Sequence, residues 1–273
     1  MKLGVHALML NGLTPERAVS MVSQSGYQGI EWGIRDDQQD PPARLKAAFR
    51  DNQCVQPPTA QFADSIHQLC RQQRLAIPSL YSHMRANDIA NTQTALVFGQ
   101  RIKAPCVRVN TGSWNENYES SFNAAKRYLT TVVALSRAYG VRCLVENMPG
   151  TLFASPSQLA KLVSHFDPQH IGVVLDVGNL VVEGHESYSL ALDMLKPYLT
   201  IVHLKNAVFE RGSGFEWKTY WATLKKGIAD IPTFMRALQA IEYDGWLIVE
   251  DLSPQTTHLS LQNNYVYLQQ LLK

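Results

Sequence analysis

The sequence has no strong net charge, no closely spaced cysteines and no long apolar run. Lys and Arg number 25 against 23 Asp and Glu, which leaves a net charge of +2, so no broad field attracts nucleic acid or an anionic membrane. The four cysteines contain no CxxC pair, which argues against a disulfide framework or a zinc knuckle. No segment approaches the roughly 20 apolar residues of a membrane-spanning helix. These absences favour a protein that acts on small molecules.

Signals for targeting and for domain boundaries are also missing. The opening residues, MKLGVHALMLNG, hold too short an apolar run for a signal peptide, and we therefore expect a cytoplasmic protein. No Ser/Gly-rich linker or charged run divides the chain, so we predict one domain over residues 1–273. The 45 % content of hydrophobic residues is typical of a globular protein with a sizeable core.

Four short apolar runs each end in a side chain that can bind a metal ion. They are CLVE ending at Glu146, VVLD ending at Asp176, TIVH ending at His203 and WLIVE ending at Glu250. An unbroken apolar run is typical of a strand buried on both faces, as in a parallel sheet. A charge at the end of such a strand needs a cation or several hydrogen-bond donors. We interpret the four side chains as ligands of one divalent ion; the alternative is an ordinary network of hydrogen-bonded polar groups.

Strands and helices alternate along the whole chain. We predict eight strands with helices between them. The strands are Lys2–Ala7, Gly29–Trp32, Ala76–Ser82, Cys106–Asn110, Arg142–Asn147, Ile171–Asn179 (turning at Gly178), Thr200–Lys205 and Trp246–Asp251. This number of strands and helices over roughly 250 residues predicts an α/β fold, a single (β/α)8 TIM barrel. A fold with an open doubly wound sheet also has alternating strands and helices, but its functional residues lie at one switch point between two strands. Here four strand ends carry candidate ligands, and they converge only if the sheet closes.

The spacing of the candidate ligands identifies an insertion. The intervals from Glu146 to Asp176 to His203 are 30 and 27 residues, but 47 residues separate His203 from Glu250. The extra length lies at 207–223, a loop whose aromatic residues include Phe215, Trp217 and Tyr220. Since loops at the carboxyl ends of barrel strands carry function, we predict that it forms a lid over the site or a contact in a homo-oligomer.

Alternation along the strands predicts what fills the barrel. Side chains two residues apart on a strand point to the same face. Leu144, Val174, Ile201 and Ile248 each precede a candidate ligand by two residues. All four are branched and apolar, as a packed barrel interior requires, and we predict that they point inward.

Two glutamates, an aspartate and a histidine form a mostly oxygen ligand set. Such a set favours Mn²⁺, Mg²⁺ or Co²⁺, with Zn²⁺ as the alternative. An ion with open positions can polarise a substrate carbonyl and stabilise the enediolate that is left when a proton leaves the neighbouring carbon. Glu146 and Glu250 are the candidate acid and base that would remove and return that proton.

The segments VEN, LDVGN, VHLKN and VED resemble the xylose isomerase-like TIM barrel superfamily of sugar phosphate isomerases and epimerases. The sequence is most similar in style to ketose 3-epimerases, inosose dehydratase and dehydroshikimate dehydratase, and the likeness covers essentially the whole chain. It is especially clear in IADIPTFMRALQAIEYDGWLIVED. The resemblance implies metal ligation by Glu146, Asp176, His203 and Glu250, with Glu146 and Glu250 also the acid/base pair. It further implies that Lys205 contacts substrate oxygens.

Two positions depart from the ketose epimerase pattern. Asn179 stands where many of those enzymes have a histidine, and Phe209 stands where they have an arginine that contacts substrate. We keep Asn179 as a candidate substrate-binding residue together with His83, which ends LYSH and is otherwise a structural imidazole. Another branch of the superfamily, endonuclease IV, needs three zinc ions and several more histidines at its site, and Asn110 and Asn179 stand where two of those histidines would be. With the near-neutral charge, we expect no nucleic-acid partner.

Other polar residues near strand ends receive structural interpretations. Glu31 precedes Trp32 near the end of the second strand, and we interpret it as an ion pair that faces a helix. His6, Trp32, Asn110 and Trp114 are interpreted as walls of the pocket.

Three functional hypotheses follow. The first is a metal-dependent isomerase or epimerase of a ketose or keto-polyol, free or phosphorylated, whose partner is a small-molecule sugar or polyol. The alternative is a dehydratase, because the same enediolate can expel a β-hydroxyl if Lys205 or His83 supplies an acid. The third is a sugar-binding barrel without catalytic activity.

Overall fold

A closed ring of parallel strands organises the computed structural model, which describes residues 1–37, 40–41, 45–112, 114 and 117–272. The strands in these ranges are β1 (Lys2–His6), β2 (Gly29–Arg35), β3 (Val55–Gln56), β4 (Leu80–His83), β5 (Cys106–Arg108), β6 (Arg142–Glu146), β7 (Ile171–Asp176), β8 (Leu199–Leu204), β9 (Asn206–Arg211), β10 (Trp217–Ala222) and β11 (Trp246–Val249). The ring runs β1-β11-β8-β7-β6-β5-β4-β2 and closes because β1 also pairs with β2. The predicted (β/α)8 barrel is confirmed.

Helices connect the strands and cover the outside of the ring. They are α1 (Pro15–Gln24), α2 (Lys46–Phe49), α3 (Ala60–Gln72), α4 (Ile89–Arg101), α5 (Tyr118–Tyr139), α6 (Pro156–Val163), α7 (Val177–Val182), α8 (Tyr188–Leu195), α9 (Ile231–Ala240) and α10 (Thr257–Leu271). Local sequence fixes several ends: the Thr14 hydroxyl accepts a hydrogen bond from Arg17 N at the start of α1, and Gly140 ends α5 in the left-handed conformation. No helix in the described part of the chain is long and apolar enough to cross a membrane.

Two separate apolar clusters stabilise the barrel. The larger one lies between the strands and the helices around them. The smaller one is a distinct group of buried side chains, namely Cys106, Leu144, Val174, Ile201 and Ile248. Four of its members are the residues that alternation predicts to point into the barrel, so that prediction is confirmed. This small core lies one layer below the strand ends and forms the floor of the functional site.

The sixth strand of the ring in chain order, β7, ends earlier than the sequence suggests. The structure ends β7 at Asp176, and α7 begins at once with Val177. The reason is local, because Asp176 Oδ1 accepts a hydrogen bond from Asn179 N and so caps the new helix. Gly178 is therefore helical, and its lack of a side chain serves a different need: a Cβ there would lie 2.7 Å from Cβ of Lys205.

The insertion after β8 is an antiparallel hairpin rather than an irregular loop. Its strands are β9 and β10, with Trp217 opposite Arg211 and Ala222 opposite Asn206. Lys205 alone separates β8 from β9, so the hairpin continues directly from a strand of the ring. Its outer part is exposed, with Phe215 at 95 % exposure and Trp217 at 65 %. Its role as a lid or a subunit contact stays a prediction.

The segment between β2 and α3 also differs in detail from the sequence interpretation. A short helix is predicted at 43–51, and α2 occupies Lys46–Phe49, whereas residues 43 and 44 lie outside the described ranges. A two-residue strand that the sequence does not signal, β3, pairs with β2 beside the ring.

Candidate metal centre and active site

The four predicted ligands meet at the carboxyl ends of four strands. Glu146 ends β6, Asp176 ends β7, His203 lies near the end of β8 and Glu250 follows β11. All four side chains are buried, and one ligand atom from each lies within 4.8 Å of the others. Nδ1 of His203 is 3.5 Å from Glu146 Oε1 and 3.6 Å from Glu250 Oε2. The same nitrogen is 4.0 Å from Asp176 Oδ2.

The arrangement fits a divalent cation. Both ring nitrogens of His203 are buried without a directed hydrogen bond among the residues that the structure describes, and Nδ1 is the one that three carboxylates surround. Buried polar atoms without partners are rare and costly. Three carboxylates and one imidazole are a donor set that hard or borderline divalent ions accept. This group of side chains could therefore bind a metal ion.

Lys205 lies inside the same cluster. Its ammonium is 2.7 Å from Asp176 Oδ2 and 2.9 Å from Glu250 Oε2, and the ring of Trp221 on β10 covers it at 4.8 Å. Burial would lower the pKa of Lys205, but Asp176 and Glu250 raise it above its ordinary value. The side chain is therefore a buried, protonated cation at the strand ends.

Glu146 is held by two donors from neighbouring strands. Tyr81 donates a hydrogen bond of 2.6 Å to Oε2, and Nε of Arg108 lies 3.2 Å from the same oxygen. The Arg108 guanidinium also lies over the Tyr81 ring at 4.4 Å. Burial would raise the pKa of Glu146, but His203, Arg108 and Lys205 lower it to about 2. Glu146 is thus an oriented, ionised carboxylate.

The other two carboxylates differ from each other. Burial raises the pKa of Asp176 to about 6, with Lys205 opposing and the two glutamates adding to the rise. Burial also acts to raise the pKa of Glu250, but Lys205, His6 and His203 bring it well below its ordinary value. Like charges that share one site separate the pKa values of the groups that carry them in this way.

Asn179, a predicted substrate-binding residue, is buried against the ligands. Its amide donates to the carbonyl of Asn147 at 3.0 Å and to Glu146 Oε1 at 3.4 Å. Asn147 in turn exchanges two hydrogen bonds with the backbone of Asp176. The two asparagines thus tie the end of β6 to the end of β7, and substrate contact by Asn179 stays a prediction.

His83 lines an open cavity beside the ligand cluster. The cavity has a volume of about 900 Å³, and residues lining it include Phe49, Tyr81, His83, Arg108, Asn110 and Met148. Burial holds the pKa of His83 well below its ordinary value, so the imidazole is neutral, and its Nε2 has no partner within the described part of the chain. Because Tyr81 and Arg108 touch both Glu146 and the cavity, a molecule bound there adjoins the ligand cluster.

Comparison with known proteins identifies the family. Residues 19–271 match the family model described as xylose isomerase-like TIM barrel. The chain belongs to this family. It is similar to the inosose dehydratase of Mesomycoplasma hyopneumoniae (strain 7448), with 23 % identity over 253 residues, which are 86 % of this chain and 80 % of that enzyme.

Solved structures share the fold of this family member over nearly its whole length. A D-tagatose 3-epimerase-like protein superposes with a TM-score of 0.73 at 18 % identity, covering 99 % of this chain and 98 % of the other. The IolI protein with a bound zinc atom superposes with a TM-score of 0.74 at 16 % identity, covering 100 % and 96 %.

The interpretation of Glu31 as an ion pair facing a helix is wrong. Oε2 of Glu31 lies inside the barrel, 2.8 Å from Nε2 of His203. The neighbouring Trp32 packs outward against Phe62 and donates to Cys70 of α3, so the interpretation of Trp32 as a wall of the pocket is also wrong. Burial would raise the pKa of Glu31, but His203 and His6 lower it. Alternation with the bulky Trp32 was the available signal, because adjacent strand residues face opposite sides.

Tyr81 and Arg108 are site residues of this xylose isomerase-like barrel that sequence reasoning missed. Each precedes a strand-end polar residue by two positions: Tyr81 precedes His83, and Arg108 precedes Asn110. The same two-residue period that identified the barrel interior would have placed both side chains on the inward face.

Proposed function

We propose that this protein is a divalent-metal-dependent isomerase or epimerase of a ketose or keto-polyol. One observation carries the proposal: Glu146, Asp176, His203 and Glu250 present ligand atoms within 4.8 Å of one another at the functional end of the barrel. The similarity to a D-tagatose 3-epimerase-like fold supports the substrate class. Glu146, Asp176, His203 and Glu250 would hold the ion, with Mn²⁺, Mg²⁺ or Co²⁺ favoured by the oxygen-rich set.

Glu146 and Glu250 are proposed to move the proton. β7 and β8 separate their strands in the ring, so the two carboxylates flank the centre and can approach a substrate carbon from different sides. Both have pKa values below their ordinary range, which keeps them ionised and able to accept a proton. Weak bases of this kind can remove a proton only from a C–H bond of raised acidity. A divalent ion, when bound, would raise that acidity by polarising the adjacent carbonyl.

Lys205 and His83 are proposed to bind the substrate. The Lys205 ammonium carries three donors, and two of them serve Asp176 and Glu250. The third can meet a hydroxyl or carbonyl oxygen. His83 contributes an unpartnered Nε2 at the cavity. A substrate that spans the two would extend from the strand ends into the cavity.

A dehydratase is the second candidate. It is favoured by the similarity to inosose dehydratase over 86 % of this chain and by the protonated Lys205 beside Glu250. Proton removal by a glutamate and proton donation by Lys205 to a departing β-hydroxyl would together eliminate water. The expected product is a conjugated enone or enol that absorbs in the ultraviolet.

The test is a panel of ketoses and keto-polyols, free and phosphorylated, incubated with the Mn²⁺-loaded protein in D₂O. Epimerisation or isomerisation predicts deuterium at the carbon next to the carbonyl, whereas dehydration predicts ultraviolet absorption. Glu146→Gln and Glu250→Gln should each lower turnover by about 100-fold or more, and the exposed Glu119→Gln should not. Full turnover in either site variant contradicts the acid/base roles. Sugar binding without exchange or elimination supports the non-catalytic barrel.

A further inference from the structure

The carboxylate of Glu31 is fixed from several sides inside the barrel. Its Oε2 lies 2.8 Å from Nε2 of His203 and 3.5 Å from Nε2 of His6. Its Oε1 accepts a hydrogen bond from Ser79 on the segment before β4. All of these residues are fully buried. Groups engaged in such a buried network have little freedom to reorient.

His6 supports Glu31 rather than competing for it. Nδ1 of His6 accepts a hydrogen bond of 3.0 Å from Leu8 N, so in a neutral ring the proton is on Nε2, the nitrogen nearer to Glu31. The protonated nitrogen of His6 therefore lies 3.5 Å from Oε2 of Glu31, and its ring packs edge to face against the ring of His203, with 5.4 Å between the centroids.

The same geometry separates the two nitrogens of His203. Nε2 faces Glu31, whereas Nδ1 faces the oxygens of Glu146, Asp176 and Glu250. In metal sites a ligating histidine commonly donates its second N–H to a carboxylate, which sets the tautomer and the ring orientation. Glu31 stands where that carboxylate is needed, and it lies outside the group of four ligands.

We propose that Glu31 is a positioning residue of the metal centre, which holds Nε2 of His203 so that Nδ1 is the atom presented to the ion. Glu31 thereby raises the affinity for a divalent cation without contacting it. The inference rests on the metal site of the proposed function, and it is independent of the substrate and of the reaction.

The wild-type protein provides the first test. With ¹⁵N-labelled histidine and saturating Zn²⁺, the ring nitrogens of His203 are assigned by their absence in His203→Asn. We expect a metal-bound Nδ1 and a protonated Nε2. A metal-bound Nε2 would overturn the proposal, and this result needs no Glu31 variant to fold.

Variants provide the second test, read as the affinity for Mn²⁺ by calorimetry. Glu31→Gln should bind Mn²⁺ about 10- to 100-fold more weakly, the usual effect of losing such a partner. Ser79→Ala, which keeps the carboxylate but removes its hydroxyl donor, should lose less, and the exposed Glu119→Gln should lose nothing. Unchanged affinity in Glu31→Gln, with the same ¹⁵N spectrum of His203, refutes the role.

The outcomes also separate this inference from the proposed function. A weakened Mn²⁺ site in Glu31→Gln together with no turnover on any sugar leaves the positioning role intact and removes the isomerase. Turnover that requires Mn²⁺, together with an Mn²⁺ affinity that Glu31→Gln does not change, would support the isomerase and remove the positioning role. A purely structural role predicts lower thermal stability with unchanged affinity and an unchanged Nε2 signal.

Discussion

The ammonium of Lys205 lies 2.7 Å from Oδ2 of Asp176, and both groups are buried at the strand ends where a cation is expected to bind. Glu250 approaches the same ammonium to 2.9 Å. The Lys205 ammonium thus places a positive charge between Asp176 and Glu250, two carboxylates that would otherwise repel each other. A buried pair of this kind is costly to break by removing one partner.

Lys205→Met should therefore destabilise the metal-free protein more than the metal-loaded one. In EDTA we expect the free energy of unfolding to fall by about 3 kcal/mol, because Asp176 and Glu250 lose their cation. Saturating Mn²⁺ should recover part of this loss, since the ion supplies positive charge in the same place. The measurement is urea unfolding with EDTA and with Mn²⁺.

The control for this prediction is Lys225→Met, which changes an exposed lysine in the turn after β10. Lys225→Met should leave the free energy of unfolding unchanged both in EDTA and in Mn²⁺. An equal loss for Lys205→Met with and without Mn²⁺ would mean that the lysine and the ion do not share an electrostatic role.

Tyr81→Phe should slow the proposed reaction with little effect on folding. The hydroxyl donates 2.6 Å to Glu146 Oε2, and a hydrogen bond to a charged group contributes about 1.5 kcal/mol or more, which corresponds to roughly tenfold in kcat. Tyr128→Phe is the matched control, because its buried hydroxyl contacts Thr92 between two helices. Steady-state kinetics on the substrate from the ketose panel decides the matter. Equal kcat values in the two variants would argue against a role for Tyr81.

Gly178→Ala should destabilise the protein and displace Lys205. A Cβ at Gly178 would lie 2.7 Å from Lys205 Cβ and 2.8 Å from its carbonyl carbon, so either α7 or the backbone at Lys205 must move. Overpacking of this kind costs about 1–3 kcal/mol, and we expect weaker Mn²⁺ binding as well. Gly214→Ala, with nothing within 4 Å of the new Cβ, should leave both thermal stability and Mn²⁺ affinity as they are. Wild-type stability in Gly178→Ala would show that the close contact is relieved at no cost.

The cap that Asp230 forms on α9 should make a contribution to protein stability that depends on pH. It caps α9 by accepting hydrogen bonds from the hydroxyl and the backbone N–H of Thr233, and these bonds lower its pKa below the ordinary value of 3.8. The stabilisation is complete above that value and is lost as pH falls through the lower folded pKa. Asp230→Asn keeps a cap but cannot titrate. The amount by which its free energy of unfolding falls below that of wild type should therefore be smaller at pH 3 than at pH 7.

Asp230→Ala removes the cap altogether and should cost about 1 kcal/mol at neutral pH. Urea midpoints of the three proteins at both pH values provide the measurement. A constant difference between wild type and Asp230→Asn would show that the Asp230 carboxylate does not contribute to acid sensitivity.

The barrel and its ligand set were readable from sequence because both depend on short-range patterns. Unbroken apolar runs, helix caps such as Thr14 and Gly140, and the two-residue period that places Leu144 and Ile248 inward are properties of neighbouring residues. Parallel strands bring their carboxyl ends to one edge, so a polar residue at each of four ends predicts a cluster once the ring is assumed to close.

Tertiary structure alone decided which atoms face each other within that cluster. The contact of Glu31 with His203 joins β2 with β8, which are not neighbours in the ring, and that of Arg108 with Glu146 joins the paired strands β5 and β6. Strand period assigns a side chain to a face, but it does not give the distance across the barrel, which depends on ring closure through β1. For the same reason the sequence signalled an insertion after β8 but not its hairpin, because that pairing needs a register between strands and not only their composition.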